Sequence, residues 1–336
     1  MHVNLRDALL SEQPQTLYPP ILVGPSTVRY TWTDQWVRIP QTASGRIDGR
    51  THGLAVTQGG QLILFHQADP AVVIYSSEGV LVDAWGDNFP GAHGLTLVQE
   101  GDEEFLWLAD SKTGEVAKTT LSGRTVLNLQ RPALSIYANS KYAPTWVAVH
   151  EERHGGNGDI WVTDGYGASY IHCYDKVGHY IDSINGTEGG AGAFKCPHSI
   201  FMDTRKTQPE LYIADRGNRR VQVYDVEGNY LRVFGADFLT SPCAFAISGE
   251  RLIIPELRAR VAILDGQDRL LGYLGENEAT CEQPGWPNHS AEWIHPGKFN
   301  SPHGVAVDAQ GNLYIAEWII GGRVTKLTPV GFTPSI

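Results

Sequence analysis

Pro302-His303-Gly304-Val305, near the end of this 336-residue chain, is one of six variants of a short phrase. The others are Thr51-His52-Gly53-Leu54, Ala92-His93-Gly94-Leu95, Pro144-Thr145-Trp146-Val147, Pro197-His198-Ser199-Ile200 and Pro242-Cys243-Ala244-Phe245. Each opens on a small or imino residue, passes through a variable position and enters an apolar run. A second apolar run follows in every unit and ends in an acid: Asp69, Asp110, Asp164, Asp215, Glu256 and Glu317. The interval from variable residue to acid stays within 13 to 19 residues, a regularity that marks a repeat.

Third runs alternate apolar and polar residues and end in turn formers, as at 71–79 and 221–229. Short β-branched or aromatic runs parted by Gly, Asn and Asp are what antiparallel strands with tight turns require. Each unit therefore reads as a four-stranded sheet. A lone sheet exposes both faces, and six arranged radially bury them, so the predicted fold is an all-β, six-bladed β-propeller. The last unit runs out of chain before its outer strand. The segment from 28–32 through 36–39 is expected to supply it and tie the termini together. Residues 28–336 then form a single domain behind an N-terminal extension, 1–27. With 42% hydrophobic residues and 37 glycines the chain can fill such a core.

A net charge of -11 with no basic block excludes a nucleic-acid surface, which needs clustered Lys and Arg. Residues 1–7 lack the apolar core of a signal peptide, and no stretch reaches membrane-spanning length, so the expectation is a cytoplasmic protein without a membrane partner. Cys173, Cys196, Cys243 and Cys281 show no paired spacing and imply no disulfide framework.

Strand direction places the start of each first strand and the end of each second strand on one rim. His93, His198 and His303 fall in alternate units, so ring closure sends three imidazoles toward the axis from three directions. Such a set leaves positions open for water or substrate, as in catalytic zinc sites, though imidazoles accept other divalent transition metals too. Taken singly, each would be a hydrogen-bonded core histidine; their joint placement is what points to a metal. His52 breaks the alternation and reads first as a ring that fills the channel or hydrogen-bonds, with a fourth ligand or a base as its other roles. The six acids read as structural, bonding the turns that follow them. Cys243 and Cys196 could approach the metal, where a thiolate would make the site softer and more closed, but buried neutral thiols are the expectation. The insertion 276–300, with Trp286, His289, Trp293 and His295, is expected to form a lid over the rim, and 130–144, with Tyr137 and Tyr142, an opposite wall.

Gly190-Ala191-Gly192-Ala193-Phe194-Lys195-Cys196-Pro197-His198 and Gly297-Lys298-Phe299-Asn300-Ser301-Pro302-His303-Gly304-Val305-Ala306-Val307-Asp308 resemble NHL repeats in their Gly, Phe, Pro and apolar-Asp pattern. More narrowly, over about residues 50–328, the chain resembles peptidylglycine alpha-hydroxyglycine amidating lyase, a six-bladed zinc enzyme that splits a carbinolamide into an amide and glyoxylate. The resemblance implies zinc ligands at His93, His198 and His303 and a catalytic tyrosine at Tyr166, in Thr163-Asp164-Gly165-Tyr166. It also matches a family Ala-Asp-Arg segment with Ala214-Asp215-Arg216. Two positions depart from the family. Gln67, in His66-Gln67-Ala68-Asp69, stands where the family has an arginine, so a substrate carboxylate loses that partner. Gly304 stands where the family has an Asp that binds a structural calcium, which leaves calcium without that ligand.

The resulting expectation is a metal-dependent lyase acting on a small carbinol or carbinolamide rather than a peptidyl hydroxyglycine. His93, His198 and His303 hold zinc, Tyr166 is the base, Gln67 and Arg216 orient polar substrate groups, and His52 stands beside them. A hydrolase or hydratase on the same site is the second reading. A non-catalytic propeller that binds a protein partner is the third.

Overall fold

The computed structural model describes residues 20–331; residues 1–7, read above for a leader, lie outside them. Six antiparallel sheets follow one another along the chain, at 51–85, 92–128, 146–184, 197–234, 246–274 and 302–329, here blades one to six. Within the first five, strands run in chain order from the axis outward, and in blade six the strands of 302–329 do the same. The second strands are covered on both faces by neighbouring blades: Leu62, Ile63, Leu64 and Phe65 are all buried. Each such side chain contributes roughly 1.5–3 kcal/mol of hydrophobic stabilisation. Outermost strands alternate instead, and Leu231 and Val233 of Tyr230–Phe234 face solvent.

Turns between third and fourth strands share one device. Asp225 accepts backbone N–H bonds from Glu227 and Asn229, with Gly228 at φ +86° between them. In blade five the same turn places Asp268, at φ +61°, where Gly228 stands in blade four. That left-handed conformation is unusual for a residue with a side chain. Its carboxylate is gripped by Arg205, Arg232 and the Tyr212 hydroxyl, so a charged cluster across the seam of blades four and five holds it there.

The ring is latched as the repeat required. Tyr30–Thr33 pairs antiparallel with Arg323–Pro329, the last strand of blade six. Arg323 adds an ion pair to Asp34 at 2.6 Å, and Trp32 packs on Phe299 with centroids 4.6 Å apart. Two details differ from expectation. Residues 36–39 are not strand; Val37 and Ile39 insert into the apolar seam between blades six and one instead. And Ile21–Val23 pairs with Tyr30–Thr33, so blade six has five strands, the outermost lying before residue 28.

The second-strand acids also need one correction. In blade one the position opposite the strand start belongs to His66, paired with Thr51 as Asp110 is with Ala92 and Asp215 with Pro197. Asp69 sits three residues further on and is exposed. The other five acids clamp the loop that enters the first strand of their own blade. Asp110 accepts from Gly91, Asp164 from Ala143, Asp215 from Lys195, Glu256 from Ser241 and Glu317 from Ser301. Asp215, Glu256 and Glu317 are neutralised by Arg220, Arg260 and Arg323.

Candidate metal and catalytic site

Every first-strand histidine occupies a break in strand register. Thr51 pairs with His66 and Gly53 with Phe65, which leaves His52 opposite nothing; His93 and His303 are skipped in the same way, and His198 and Ser199 together face Ala214. An extra residue in one strand of a pair bends the strand and re-aims its side chain. Here the bulge turns all four imidazoles onto the axis.

They meet there closely. Ring centroids lie 4.7 Å apart for His52 and His93, 4.5 Å for His52 and His303, 4.7 Å for His93 and His198, 4.9 Å for His93 and His303 and 4.7 Å for His198 and His303. Glycine makes the approach possible. A Cβ on Gly304 would stand 2.0 Å from the His52 carbonyl oxygen, and one on Gly94 would stand 2.3 Å from that of Thr145. The same crowding excludes an aspartate at 304.

Hydrogen bonding fixes how the rings present themselves. The Nδ1–H of His93 donates to the Thr145 carbonyl and that of His198 to the Cys243 carbonyl, each at 2.8 Å, because a carbonyl only accepts. Burial holds His93 down to about 3, against a raising bond to Thr145, and pushes His52, His198 and His303 well below the ordinary imidazole range. These rings are neutral, so Nε2 of His93 and of His198 each carries a bare lone pair. An imidazole whose other nitrogen donates to a carbonyl is the usual form of a metal ligand.

Tyr166 lies between them. Its hydroxyl oxygen is 3.1 Å from Nε2 of His93 and 3.1 Å from Nε2 of His198, while Arg216 donates to it at 3.3 Å and covers its ring. One phenolic hydrogen can serve only one of two lone pairs, so the cluster is a hydrogen short. Nδ1 of His303 is buried without a partner as well. Buried polar atoms are normally satisfied, and a cation among them would resolve both deficits. Two sets of three donor atoms lie within 4.8 Å of one another: His52, His93 and His303, and His198, Cys243 and His303. The residues present therefore fit a divalent metal, but neither set holds all three histidines read from the repeat: His93 groups with His52 and His303, and His198 with Cys243 and His303.

Burial raises the Tyr166 phenol to about 12, with the Arg216 guanidinium pulling the other way. Burial also disfavours the Arg216 charge, but Tyr166 and the Cys243 and Cys196 thiols more than offset it and Arg216 stays protonated. Arg216 thus reaches the histidines from blade four as anticipated. Gln67 makes no hydrogen bond to them: its backbone pairs with Arg50 and Gly49, and its side chain bonds to no described residue. A rim cation in blade one comes from Arg50 instead, two residues before His52, paired with Asp48 and lying 5.0 Å over the Trp318 ring. Its lowering effect on His52 shows its proximity.

The two long loops are ordered, yet neither contacts the axial rings through an aromatic or imidazole pair among the described residues. In 276–300, Trp286 donates to the Asn300 carbonyl and His289 packs on Trp293, while Arg323 holds the carbonyls of His295 and Lys298. In 130–144, Tyr137 bonds Asp164 and His172 within blade three. On the side of the histidines away from the rim, a cavity of about 290 Å³ is lined by Leu54, Leu95, Val147, Ile200, Phe245 and Val305, each two residues beyond an axial position.

Comparison with known proteins agrees with this architecture. Residues 154–259 match a family described as a 6-bladed beta-propeller. NHL repeat-containing protein 3 of Homo sapiens is 26% identical over 309 residues, covering 85% of this chain and 82% of the relative. The chain is a six-bladed propeller with NHL-repeat relatives. They include a probable peptidyl-alpha-hydroxyglycine alpha-amidating lyase of Caenorhabditis elegans, 25% identical over 303 residues and covered to 80% on both sides. Among solved structures, virginiamycin B lyase from Staphylococcus aureus superposes with a TM-score of 0.57 at 13% identity, covering 89% of this chain and all of that one, a likeness of fold. No helix among the described residues is long and apolar enough to cross a membrane.

Proposed function

We propose that the chain is a metal-dependent lyase that breaks down a small carbinol or carbinolamide at the axial histidines. The observation that carries this reading is the Tyr166 hydroxyl held 3.1 Å from the bare Nε2 atoms of both His93 and His198 beside Arg216. His93, His198 and His303 would hold the metal, most simply zinc, and the cation would supply Lewis-acid polarisation of a substrate hydroxyl. Tyr166 stands where it can take the hydroxyl proton whose loss starts carbinol collapse. Its burial favours the neutral phenol, while Arg216 works against that bias, so the tyrosine and arginine act as one unit. Arg216 also offers the rim a donor for a developing anion. Relatives named as amidating lyases support the reaction class at modest identity.

The test is product analysis on a panel of carbinolamides, with and without a carboxylate. A lyase releases a carbonyl compound and an amide without taking oxygen from labelled water; incorporation of that label would shift the assignment to a hydrolase. Tyr166→Phe is expected to lower kcat by about 10²–10⁴-fold while leaving bound metal unchanged. Unchanged turnover in that variant would remove Tyr166 from the reaction.

A further inference from the structure

The axial cluster has a charge problem that neutral imidazoles cannot solve. Arg216 already places one buried positive charge against Tyr166, and a divalent cation among the histidines would add two more. Unpaired buried charge is strongly unfavourable. The nearby second-strand acids are committed elsewhere: Asp110 to three backbone N–H groups, Asp164 to Ala143, Ala168 and Tyr137, Asp215, Glu256 and Glu317 to their own arginines. Apart from one another, the charged groups acting on these axial imidazoles are cations, Arg216 and Arg50.

Cys243 is fully buried at the axial position of blade five, with Sγ inside one of the two donor sets, beside His198 and His303. Its thiol makes a weak bond to the Ser241 carbonyl, at 3.4 Å, and lies against the Arg216 guanidinium. His303, in the same set, has a buried nitrogen without a partner.

We infer that Cys243 is an anionic ligand of the axial metal, so that the site is a mixed imidazole and thiolate centre selective for thiophilic divalent ions. The inference rests on the metal reading above and adds to it a donor from blade five. On binding, the Sγ–H bond breaks heterolytically; sulfur keeps the electron pair and bonds the cation, and the proton leaves to solvent, with no change of oxidation state. Coordination deprotonates thiols in this way even where burial opposes it. The negative sulfur offsets one of the three positive charges and sets the metal preference toward zinc or cobalt over hard ions such as magnesium.

Cobalt(II) titration of the full chain, followed by absorption spectroscopy, tests this. The expected result is visible ligand-field bands together with a near-ultraviolet sulfur-to-cobalt charge-transfer band. Cys243→Ser should abolish the sulfur band and weaken cobalt binding roughly tenfold or more, whereas Cys196→Ser should keep the band. Ligand-field bands without a sulfur band in the unsubstituted protein overturn the thiolate inference but leave the metal reading standing; they would leave Tyr166 to balance the charge. A band that follows Cys196 also overturns it. Failure to bind cobalt at all defeats both readings. X-ray absorption on the zinc-loaded chain needs no variant and reports a sulfur neighbour directly, so an unstable Cys243→Ser would not shield the inference.

Discussion

The two halves of the ring position their axial residues by different physics. In blades six, one and two the variable residue is histidine and the next is glycine: His303-Gly304, His52-Gly53, His93-Gly94. Backbones there come so close that a Cβ would collide with the neighbouring strand at 2.0 to 2.6 Å. In blades three, four and five the pairs are Thr145-Trp146, His198-Ser199 and Cys243-Ala244, and the neighbours touch through side chains and carbonyls. The crowded half contributes three of the four imidazoles. The looser half contributes the carbonyls of Thr145 and Cys243, which fix the ring orientation of His93 and His198. Compression gathers donors; hydrogen bonding aims them.

The largest effect should come from removing the imidazole that the looser half sends to the axis. His198→Ala breaks the donor set that His198 forms with Cys243 and His303, and metal retained through purification should fall by more than the roughly 10–100-fold typical of losing an outer-shell partner. Elemental analysis of protein purified without added metal measures it, and full retention would place the metal elsewhere. In the crowded half, Gly304→Ala should destabilise the fold by about 2–3 kcal/mol, because the new methyl meets a carbonyl oxygen and not a pliable side chain. Denaturant unfolding reports that loss. A change within error would mean the strands of blades six and one separate more easily than their packing indicates.

Much of this could be read from the chain before its shape was known. Six variants of one phrase gave six blades, and their shared offset put His93, His198 and His303 on the axis. Tyr166 and Arg216 follow the acids of blades three and four, and both arrive beside the histidines. What stayed hidden depends on partner strands. A bulge is defined by the register of the facing strand, so nothing within Ala92-His93-Gly94 says that His93 is skipped while Ala92 and Gly94 pair. Asp69 was misread for the same reason: its spacing mimicked the other blades, while pairing ends the strand at His66, which leaves Gln67 in the blade-one position that Arg216 holds in blade four. The role of Thr145 is a carbonyl, and every residue has one. Arg50 was legible in principle, lying two positions before His52 in a unit whose other rim cation is absent.

Acid should act on both halves through the buried imidazoles. Folded His93 is held near 3 and His172 near 4, and His52, His198 and His303 are lowered as well, whereas in the unfolded chain each titrates near 6.5. Between those values the unfolded state binds more protons, so stability falls as pH drops from about 6.5 toward the folded values. Each such histidine steepens the fall by up to about 1.4 kcal/mol per pH unit. Unfolding free energy of chelated protein, followed from pH 7 to 5, should show this slope, and added zinc should raise stability without removing it, because bound imidazoles stay unprotonated in the folded state. A flat profile in the chelated protein would mean the imidazoles are charged or solvated.

The smallest expected change is the sharpest test of the contrast between halves. Ser199 follows His198 as Gly304 follows His303, and its buried hydroxyl has no hydrogen-bond partner. If the strands around blade four are set by carbonyl bonding and not by close approach, a Cβ is harmless there and the hydroxyl is dispensable. Ser199→Ala removes an unsatisfied polar atom at no steric cost, so stability should stay within about 0.5 kcal/mol or rise slightly. Metal content should be unchanged. A loss comparable to that of Gly304→Ala would show that the Ser199 hydroxyl has an ordered partner in solution, and that the looser half is held by a polar contact at the residue after its histidine.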